Sequence, residues 1–498
     1  MSQIKAGVVL SYISILIINV VGLFTTPIIV RTLGVESYGI YLLLSSYIAY
    51  IALLDLGITA TINRFIAKYR ALDDKNQEIE FISIIIKFIS LVILLVLFLG
   101  FILSENIDSI ISSSYLSLTK LKIIIWALVL TLVLNIMIGF VSGYLAAYEK
   151  FIFIKSIEIV KSLLRVFLLL LVFSGKGDIL LLVSIDFFTA FLIFLSSMFY
   201  FFKTKDIPIK FLLYNKVRFE EILSYSVWIF IFNAISQIQW RSGQIIIGYR
   251  LDPSAVAVYG IGIVLGTYYG AFSTAITSIF ISRTTYKVYQ NNDMKELTLY
   301  MVRVARMSAL VLMLVLANFI VIGKDFIFLW VGVEFRPAWI IALVVMITYT
   351  VPLLQGIANQ VLEAKKLFRF KSKVYLVCLT VGITFGYLLI DYYGINGMII
   401  GIIFGWISAI VIMTIYYHVT LKLNMIDLFN GVSKIFLITV IVAVTGYSLN
   451  VIETDISWII ISIKAVIVSF IYLILIYRYA LLDSEKSLVN KIRGKNLG

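Results

Sequence analysis

The chain has 498 residues, of which 62% are hydrophobic and only 14% charged, and its mean hydropathy is +1.06. Soluble domains average about 45–50% apolar and about 25% charged residues, so this excess of apolar side chains does not fit inside one globular core. The formal net charge is +14. Because the basic residues cluster between hydrophobic segments, membrane topology explains that charge better than nucleic-acid binding does, and we expect no nucleic-acid partner.

Fourteen stretches are long and apolar enough to cross a bilayer, which takes about 20 residues each. We predict spans at 7–30, 38–63, 82–103, 121–147, 156–174, 179–202, 222–247, 256–282, 300–322, 338–360, 372–390, 395–417, 433–452 and 457–478. The fold predicted from this pattern is an all-α integral membrane protein with about 14 transmembrane helices.

Lysine and arginine are distributed unevenly among the connections between these spans. Most basic residues outside the spans lie in one set of alternate connections, which includes both ends of the chain. Membrane proteins concentrate lysine and arginine on the cytoplasmic side. We therefore expect a multi-pass protein with both termini in the cytoplasm. The regular alternation supports the span count, because one missed helix would scramble it.

An internal repeat relates residues 31–69 to residues 250–289. Each stretch begins with arginine, continues with Tyr-Gly-Ile, and closes its span with a basic segment that starts at Arg64 or Arg283. The two copies are six spans apart and share one orientation, which is the plan of two parallel six-helix lobes. We predict two pseudo-symmetric lobes, at 1–202 and 222–417, joined by a cytoplasmic loop at 203–221. Two C-terminal helices with a basic tail follow at 418–498.

Four charged residues lie well inside predicted spans: Asp55 in span 2, Arg165 in span 5, Asp186 in span 6 and Arg241 in span 7. A charge at a helix centre costs roughly 2.5–3.5 kcal/mol on insertion scales, so such groups normally face protein or water. The acids Asp55 and Asp186 are candidates for ion coupling or for charge pairing. Arg165 is either a substrate contact or the partner of one of these acids.

A polar stripe runs along span 7 at spacings of 4, 4 and 3, which place its members on one face of a helix. Its members are Asn233, Gln237, Arg241 and Gln244. The stripe is either the wall of a hydrated cavity or a set of side chains that hydrogen-bond only to neighbouring helices. A similar stripe on span 10, at Gln355, Asn359 and Glu363, favours a solvated or packing role.

Arg64 and Arg283 occupy matching positions at the cytoplasmic ends of corresponding helices in the two repeats. They either anchor those helices to the membrane surface or guard the cytoplasmic mouth of a path. Guanidinium suits a phosphate or diphosphate there, because its planar fork binds two oxygens at once. Repeated GxxxG patterns in spans 8 and 12 indicate close packing of helix backbones.

Catalytic and metal-binding motifs are missing from the sequence. There is no P-loop, no HExxH and no GxSxG, and no loop is long enough to house a catalytic domain. With one cysteine, Cys378, and one histidine, His418, an internal disulfide is impossible and a zinc or haem site is not expected. We therefore expect no cofactor, no metal and no enzymatic reaction, so that an ion gradient, the membrane potential or the substrate gradient would supply the work.

Four N-terminal segments share a pattern with a known family. They are Lys5-Ala-Gly-Val, Pro27-Ile-Ile-Val-Arg31-Thr-Leu-Gly34-Val-Glu-Ser-Tyr38-Gly39, Leu54-Asp55-Leu56-Gly57 and Arg64-Phe-Ile-Ala-Lys68-Tyr69. These segments resemble bacterial polysaccharide-biosynthesis flippases, the O-antigen or repeat-unit flippases of the multidrug/oligosaccharidyl-lipid/polysaccharide exporter superfamily. The detailed likeness covers mainly residues 5–70, while the hydropathy plan covers the whole chain.

The resemblance implies a function and its partners. Such proteins move undecaprenyl-diphosphate-linked oligosaccharides from the cytoplasmic to the outer leaflet of the cell inner membrane, through a cationic cavity between two lobes. The implied partners are that lipid-linked glycan, membrane lipid, and a glycan polymerase with its chain-length regulator. The last two spans would form a groove for the lipid tail. Arg31, Asp55 and Arg64 are the positions that carry over as typical of the family.

Two other functions fit parts of the sequence. A cation-coupled multidrug exporter of the same superfamily would need buried acids without matching arginines, whereas here Asp55 and Asp186 accompany Arg165 and Arg241. A membrane-embedded glycan polymerase or ligase would commonly need a substantial outer loop, which this chain lacks. The balance of charge therefore favours transport of an anionic substrate.

Overall fold

The computed structural model describes the backbone of residues 3–111, 115–173, 177–204, 216–290, 293–365, 367–450, 456–483 and 485–487. Within these ranges it leaves the side chains of a smaller set undescribed, namely those at 3–9, 216–229, 232, 278–279, 281–283, 285–286 and 289–290. Residues 205–215 of the predicted inter-lobe loop and 488–498 of the predicted basic tail therefore lie outside the described residues.

The described residues form sixteen α-helices and no strand. Their bounds are α1 Gln3–Leu33, α2 Val35–Ile51, α3 Ile58–Ala71, α4 Lys75–Glu105, α5 Leu118–Ala147, α6 Phe151–Val172, α7 Ile179–Thr204, α8 Lys216–Arg250, α9 Pro253–Gln290, α10 Met294–Val331, α11 Ala338–Leu354, α12 Gly356–Ala364, α13 Phe368–Tyr393, α14 Ile395–Val419, α15 Met425–Tyr447 and α16 Trp458–Leu475.

Eleven of the described helices or helix pairs are long and apolar enough to cross a membrane, and the bent pair α11 and α12 makes up to twelve. The predicted all-α membrane fold is confirmed. The other two predicted spans, 156–174 and 222–247, fall in α6 and α8, and α6 misses the threshold because of its charged residues. In α6 these are Lys155, Glu158, Lys161 and Arg165.

Span 2 is a broken helix. After α2 a 3₁₀ turn covers Ala52–Asp55, and the next two residues, Leu56 and Gly57, are both left-handed, with φ of 48° and 69°. Two successive left-handed residues end the α-helical hydrogen-bond ladder, so α3 starts afresh at Ile58. Glycine adopts this conformation freely, whereas leucine does so at a cost.

The chain divides into two compact units, of which the first contains Met1–Ala257 and Tyr387–Met398. Inside it, α5 packs against α3, α4 and α7, α1 packs against α6, and α2 packs against α8. The face of α3 that meets this core is apolar: Ile58, Ile62, Phe65, Ile66 and Tyr69 are buried. The predicted division into lobes at 203–221 stays a prediction.

The second unit contains Val258–Gly386 and Ile399–Gly498, with α10 packed against α11, α15 and α16. The glycines of α9 face α11, where a Cβ added at Gly262 would meet Ile341. A Cβ added at Gly382 of α13 would lie 2.7 Å from the carbonyl oxygen of Gly401 of α14. The predicted packing role of the GxxxG patterns in spans 8 and 12 is therefore confirmed.

A buried arginine ties the end of the chain to this second unit. Arg306 of α10 donates to both carboxylate oxygens of Glu485, at 2.9 and 2.7 Å, and to the carbonyl oxygen of Ala480 at 2.8 Å. It also donates to the carbonyl oxygen of Gly431 in α15. The side chain of Arg306 is only 5% exposed, so this arginine holds α15 and the segment after α16 against α10.

Candidate functional site

Arg165 and Asp186 form an ion pair inside the first unit. Arg165 Nε lies 2.5 Å from Asp186 Oδ1 and Nη2 lies 3.2 Å from Oδ2. The hydroxyl of Tyr41 donates to the same Oδ2 at 3.2 Å. The side chains of Arg165 and Asp186 are 31% and 16% exposed. The structure thus joins α2, α6 and α7 through one carboxylate, and the acid paired with Arg165 is Asp186 rather than Asp55.

The polar residues that precede Arg165 continue along α6 at helical spacing. Lys161 donates to Asn135 Oδ1 of α5 at 2.8 Å. Glu158 accepts from Ser14 of α1 at 3.2 Å and from Lys155 at 2.9 Å. Spacings of 3 and 4 place these groups on one side of the helix. That side of α6 therefore faces the polar groups of α1, α5 and α7, and this contact keeps its charges away from lipid.

Arg241 lies on α8 and has no carboxylate partner among the described residues. Its Nη1 donates to the neutral side chain of Gln244, at 3.2 Å from Oε1. Its guanidinium lies within electrostatic range of Tyr41 and Tyr38, as that of Arg165 does. The fold therefore brings two arginines from separate predicted spans to the same pair of tyrosines on α2. Among the described residues, Asp186 neutralises Arg165, and no acid pairs with Arg241.

Hydroxyl and amide groups join α8 to α2 beside Arg241. Gln244 is buried and its Oε1 accepts from Ser46 of α2. The hydroxyls of Tyr50 and Ser242 lie 2.6 Å apart. Gln244, a member of the predicted stripe, therefore hydrogen-bonds to a neighbouring helix. Asn233 and Gln237 lie half-buried on the same helix.

The short helix α3 presents a polar face although it belongs to a candidate membrane span. That span runs from Val35 to Ala71. Beyond the break at Leu56, the exposed side chains of α3 include Thr59, Asn63, Arg64 and Lys68. Lipid does not solvate such groups, so a face of this kind normally lies against protein or water. The predicted residue Arg64 is an exposed cation on this polar face.

Three predicted residues stand apart from these contacts. Asp55 is half-buried in the 3₁₀ turn, and no described residue pairs with it. Arg31 is exposed in the last turn of α1. Arg283 lies in α9, and its side chain is outside the described residues.

Sequence reasoning missed Tyr41 and Ser46, which supply the hydroxyls between the charged helices. Neither residue carries a charge, and both sit in an apolar stretch of span 2 that includes several similar polar residues. Arg306 was also missed, because its place near the start of predicted span 300–322 suggested an exposed helix end. Arg306 lies six residues from that end, about 9 Å at 1.5 Å per residue, and this depth could have indicated that the arginine needs a partner inside the protein.

Solved membrane transporters share this fold. The structure described as "Lipid II flippase MurJ, inward closed conformation" is 16% identical, with a TM-score of 0.70 over 95% of this chain and 99% of that one. An inward-facing multidrug resistance MATE family transporter of the MOP superfamily is 14% identical, with a TM-score of 0.63 over 82% and 94%. The MATE multidrug transporter DinF-BH is 12% identical, with a TM-score of 0.57 over 86% and 96%.

The fold and the charged residues within its spans define a multi-pass membrane protein built like these transporters. A search of curated sequences found no match. The family model for polysaccharide biosynthesis proteins matches residues 4–282, which is more than half of the chain. The chain therefore belongs to the polysaccharide biosynthesis protein family, as its N-terminal segments predicted.

Proposed function

We propose that the protein is a flippase, not an enzyme, and that it moves undecaprenyl-diphosphate-linked oligosaccharide repeat units, of O-antigen or capsule type, from the cytoplasmic to the outer leaflet by alternating access. Its membership of the polysaccharide biosynthesis family supports a glycan cargo. The likeness of its fold to a lipid II flippase supports a transport mechanism. Multi-pass insertion in the cell inner membrane, with both termini in the cytoplasm, completes the proposal.

The observation that carries the proposal is the half-buried Arg241, whose described hydrogen-bond partner is a neutral amide. An arginine inside a membrane helix costs up to about 2.5–3.5 kcal/mol, the value at the helix centre, and this cost is normally offset by an anion or by water. Here the protein supplies no described carboxylate. A diphosphate has oxygens spaced for the planar guanidinium fork, so the cargo itself would neutralise the charge.

The remaining candidates take supporting roles in this proposal. The exposed face of α3 with Arg64 would receive the diphosphate from the cytoplasm, and Arg283 would do so in the second repeat. Arg165 would alternate between its ion pair with Asp186 and a contact with the diphosphate of the cargo. Arg31, Asn233, Gln237 and Gln244 would provide further polar contacts to the diphosphate or its sugars.

Membrane lipid would surround the tail of the cargo, with spans 13 and 14 as its groove. A glycan polymerase and its chain-length regulator would use the product. No cofactor, metal or nucleic acid has a part in this mechanism. Its driving force would be an ion gradient, the membrane potential or the gradient of the cargo.

A cation-coupled multidrug exporter is the second candidate, and Asp55 is the observation in its favour. This carboxylate is half-buried within a candidate span, and no described residue pairs with it. An acid of this kind attracts a proton, a sodium ion or a cationic drug. The fold of multidrug resistance MATE transporters is also similar.

Variants at Arg241 separate the two functions. In a strain that lacks the gene, Arg241→Ala should abolish surface glycan while leaving the protein in the membrane, and Arg241→Lys should restore part of it. Arg303→Ala, which removes an exposed arginine of α10, is the matched control and should export normally. Normal surface glycan with Arg241→Ala would refute the role of Arg241. Ethidium efflux by the wild type without glycan export would favour the exporter.

A further inference from the structure

An apolar groove lies on the first unit, between the first half of α5 and α7. Its volume is about 590 Å³, which falls within the range of about 300–1,000 Å³ typical of ligand pockets. Seven of its lining residues come from the first half of α5, and Phe187 of α7 closes the other side. Ile123 and Leu130 are exposed along it, so the groove opens to the surroundings of the helix bundle.

Two ion pairs stand at the end of the groove where α5 begins. Lys122, a lining residue, lies 2.8 Å from Glu105 at the end of α4. Lys120 lies 2.5 Å from Asp178, which precedes α7. Each lysine is matched by one carboxylate, so this rim has no net charge. All four side chains remain partly exposed, at 33–49%.

Below this rim the groove is apolar and runs into the membrane. From Lys122 to Leu130 the helix rises about 12 Å at 1.5 Å per residue. Half of a hydrocarbon core of about 30 Å is about 15 Å, so the groove spans most of one leaflet. Trp126 lies in its wall, one turn below the charged rim, where an aromatic side chain is favoured near the membrane interface.

We propose that this groove is a binding site for a zwitterionic phospholipid whose headgroup carries a primary ammonium, that is, a phosphatidylethanolamine. One acyl chain lies along Ile123, Trp126 and Leu130. The phosphate accepts from Lys122, and the ammonium donates to Glu105. This site is separate from the proposed glycan path and does not depend on it.

The balance of charge selects this occupant over other lipids. An anionic headgroup would satisfy the lysines but would place its uncompensated charge beside Glu105 and Asp178, where like charges repel. A choline headgroup has no N–H to donate to a carboxylate. A diphosphate-linked lipid carries more negative charge than either lysine could neutralise without breaking its pair. Only a headgroup with both a donor ammonium and a phosphate matches both members of the pair.

The bound lipid also contacts the helix that carries the half-buried ion pair between Arg165 and Asp186. Phe187 borders the groove, and it is the neighbour in sequence of Asp186, which pairs with Arg165. The lipid therefore packs on one side of α7 while the ion pair lies on another, because successive residues of a helix point about 100° apart.

A photo-crosslinking residue at Ile123 tests the site in the full-length protein. The control places the same residue at Phe101 of α4, an exposed position near the same end of the bundle. The protein is reconstituted into vesicles of equal parts phosphatidylethanolamine, phosphatidylcholine and phosphatidylglycerol with identical acyl chains, and the captured lipids are identified by mass spectrometry. We expect phosphatidylethanolamine to be enriched about five-fold at Ile123 relative to Phe101, which corresponds to about 1 kcal/mol.

Charge exchange at the rim separates headgroup recognition from acyl-chain packing. Lys122→Glu should remove the enrichment because it leaves two neighbouring carboxylates, whereas Lys122→Glu combined with Glu105→Lys should restore it. Equal capture of the three lipids at Ile123 and Phe101, or preferential capture of phosphatidylglycerol at Ile123, would overturn the proposal. Enrichment that survives Lys122→Glu in a normally folded protein would overturn the assigned role of Lys122.

Discussion

The ion pair between Arg165 and Asp186 can be measured by a double-mutant cycle, with the change Arg165→Ala, the change Asp186→Ala, and both together. Removing one partner of a buried pair costs about 3–5 kcal/mol because the other charge is left unpaired. Since these side chains are 31% and 16% exposed, water screens part of that cost. We expect each single variant to lose about 2–3 kcal/mol of unfolding free energy.

The double variant should lose much less than the sum of the two single variants. Once both charges are gone, no unpaired ion remains in the membrane, so the coupling free energy should be about 2 kcal/mol. Tyr41→Phe removes only the hydrogen bond to Asp186 and should cost about 1 kcal/mol. The assay is reversible unfolding in mixed micelles of a mild detergent and sodium dodecyl sulfate, followed by tryptophan fluorescence.

The exposed pair of Lys122 and Glu105 is the matched control for this cycle. Its side chains are 39% and 49% exposed, so its coupling should fall in the range of surface pairs, about 0.2–1 kcal/mol. If Arg165 and Asp186 show additive losses, or no more coupling than the control pair, the assignment of a membrane-embedded ion pair is refuted.

Two further predictions concern stability elsewhere in the chain. For Glu485, burial alone would raise the pKa, but the hydrogen bonds from Arg306 and from the backbone N–H of Leu482, with the charge of Arg306, hold the pKa below its ordinary value of 4.5. The unfolding free energy should therefore fall as the pH drops below about 4.5. The variant Glu485→Gln should lower the unfolding free energy by about 1.5–3 kcal/mol at pH 7 and should flatten its pH dependence. An equal acid sensitivity in the variant would contradict this prediction. Gly57→Ala should cost about 1–2 kcal/mol because Gly57 is left-handed, and unchanged unfolding in the same micelle assay would show that the break in span 2 is formed differently.

Hydrophobic length was sufficient to predict most of the long apolar helices that can cross a membrane. The GxxxG patterns also predicted close contacts correctly, because only a missing side chain lets backbones approach as Gly382 and Gly401 do. The polar faces of α6 and α8 followed from spacings of 3 and 4. Such patterns are readable because they depend on residues near one another in sequence.

The sequence limited the possible acid partners of Arg165 to two but did not decide between them. Arg165 had two candidate acids, Asp55 and Asp186, and nothing in local spacing distinguishes them, because the choice depends on how α6 packs against α7. The break at Leu56 was also unreadable, since leucine is a strong helix former and a glycine that follows it is common within spans. Where Arg306 finds its partners depends on a segment almost 180 residues away.

The interruption at Leu56 and Gly57 separates the backbone hydrogen bonds of the two parts of span 2. The helix α2 packs chiefly against α8, whereas α3 packs chiefly against α5 and α4. No continuous ladder of backbone hydrogen bonds transmits a tilt or a rotation from one part to the other. Changes to the polar face of α3 can therefore accumulate with little effect on the hydroxyl contacts that α2 makes, so the chain can vary this segment at little structural cost.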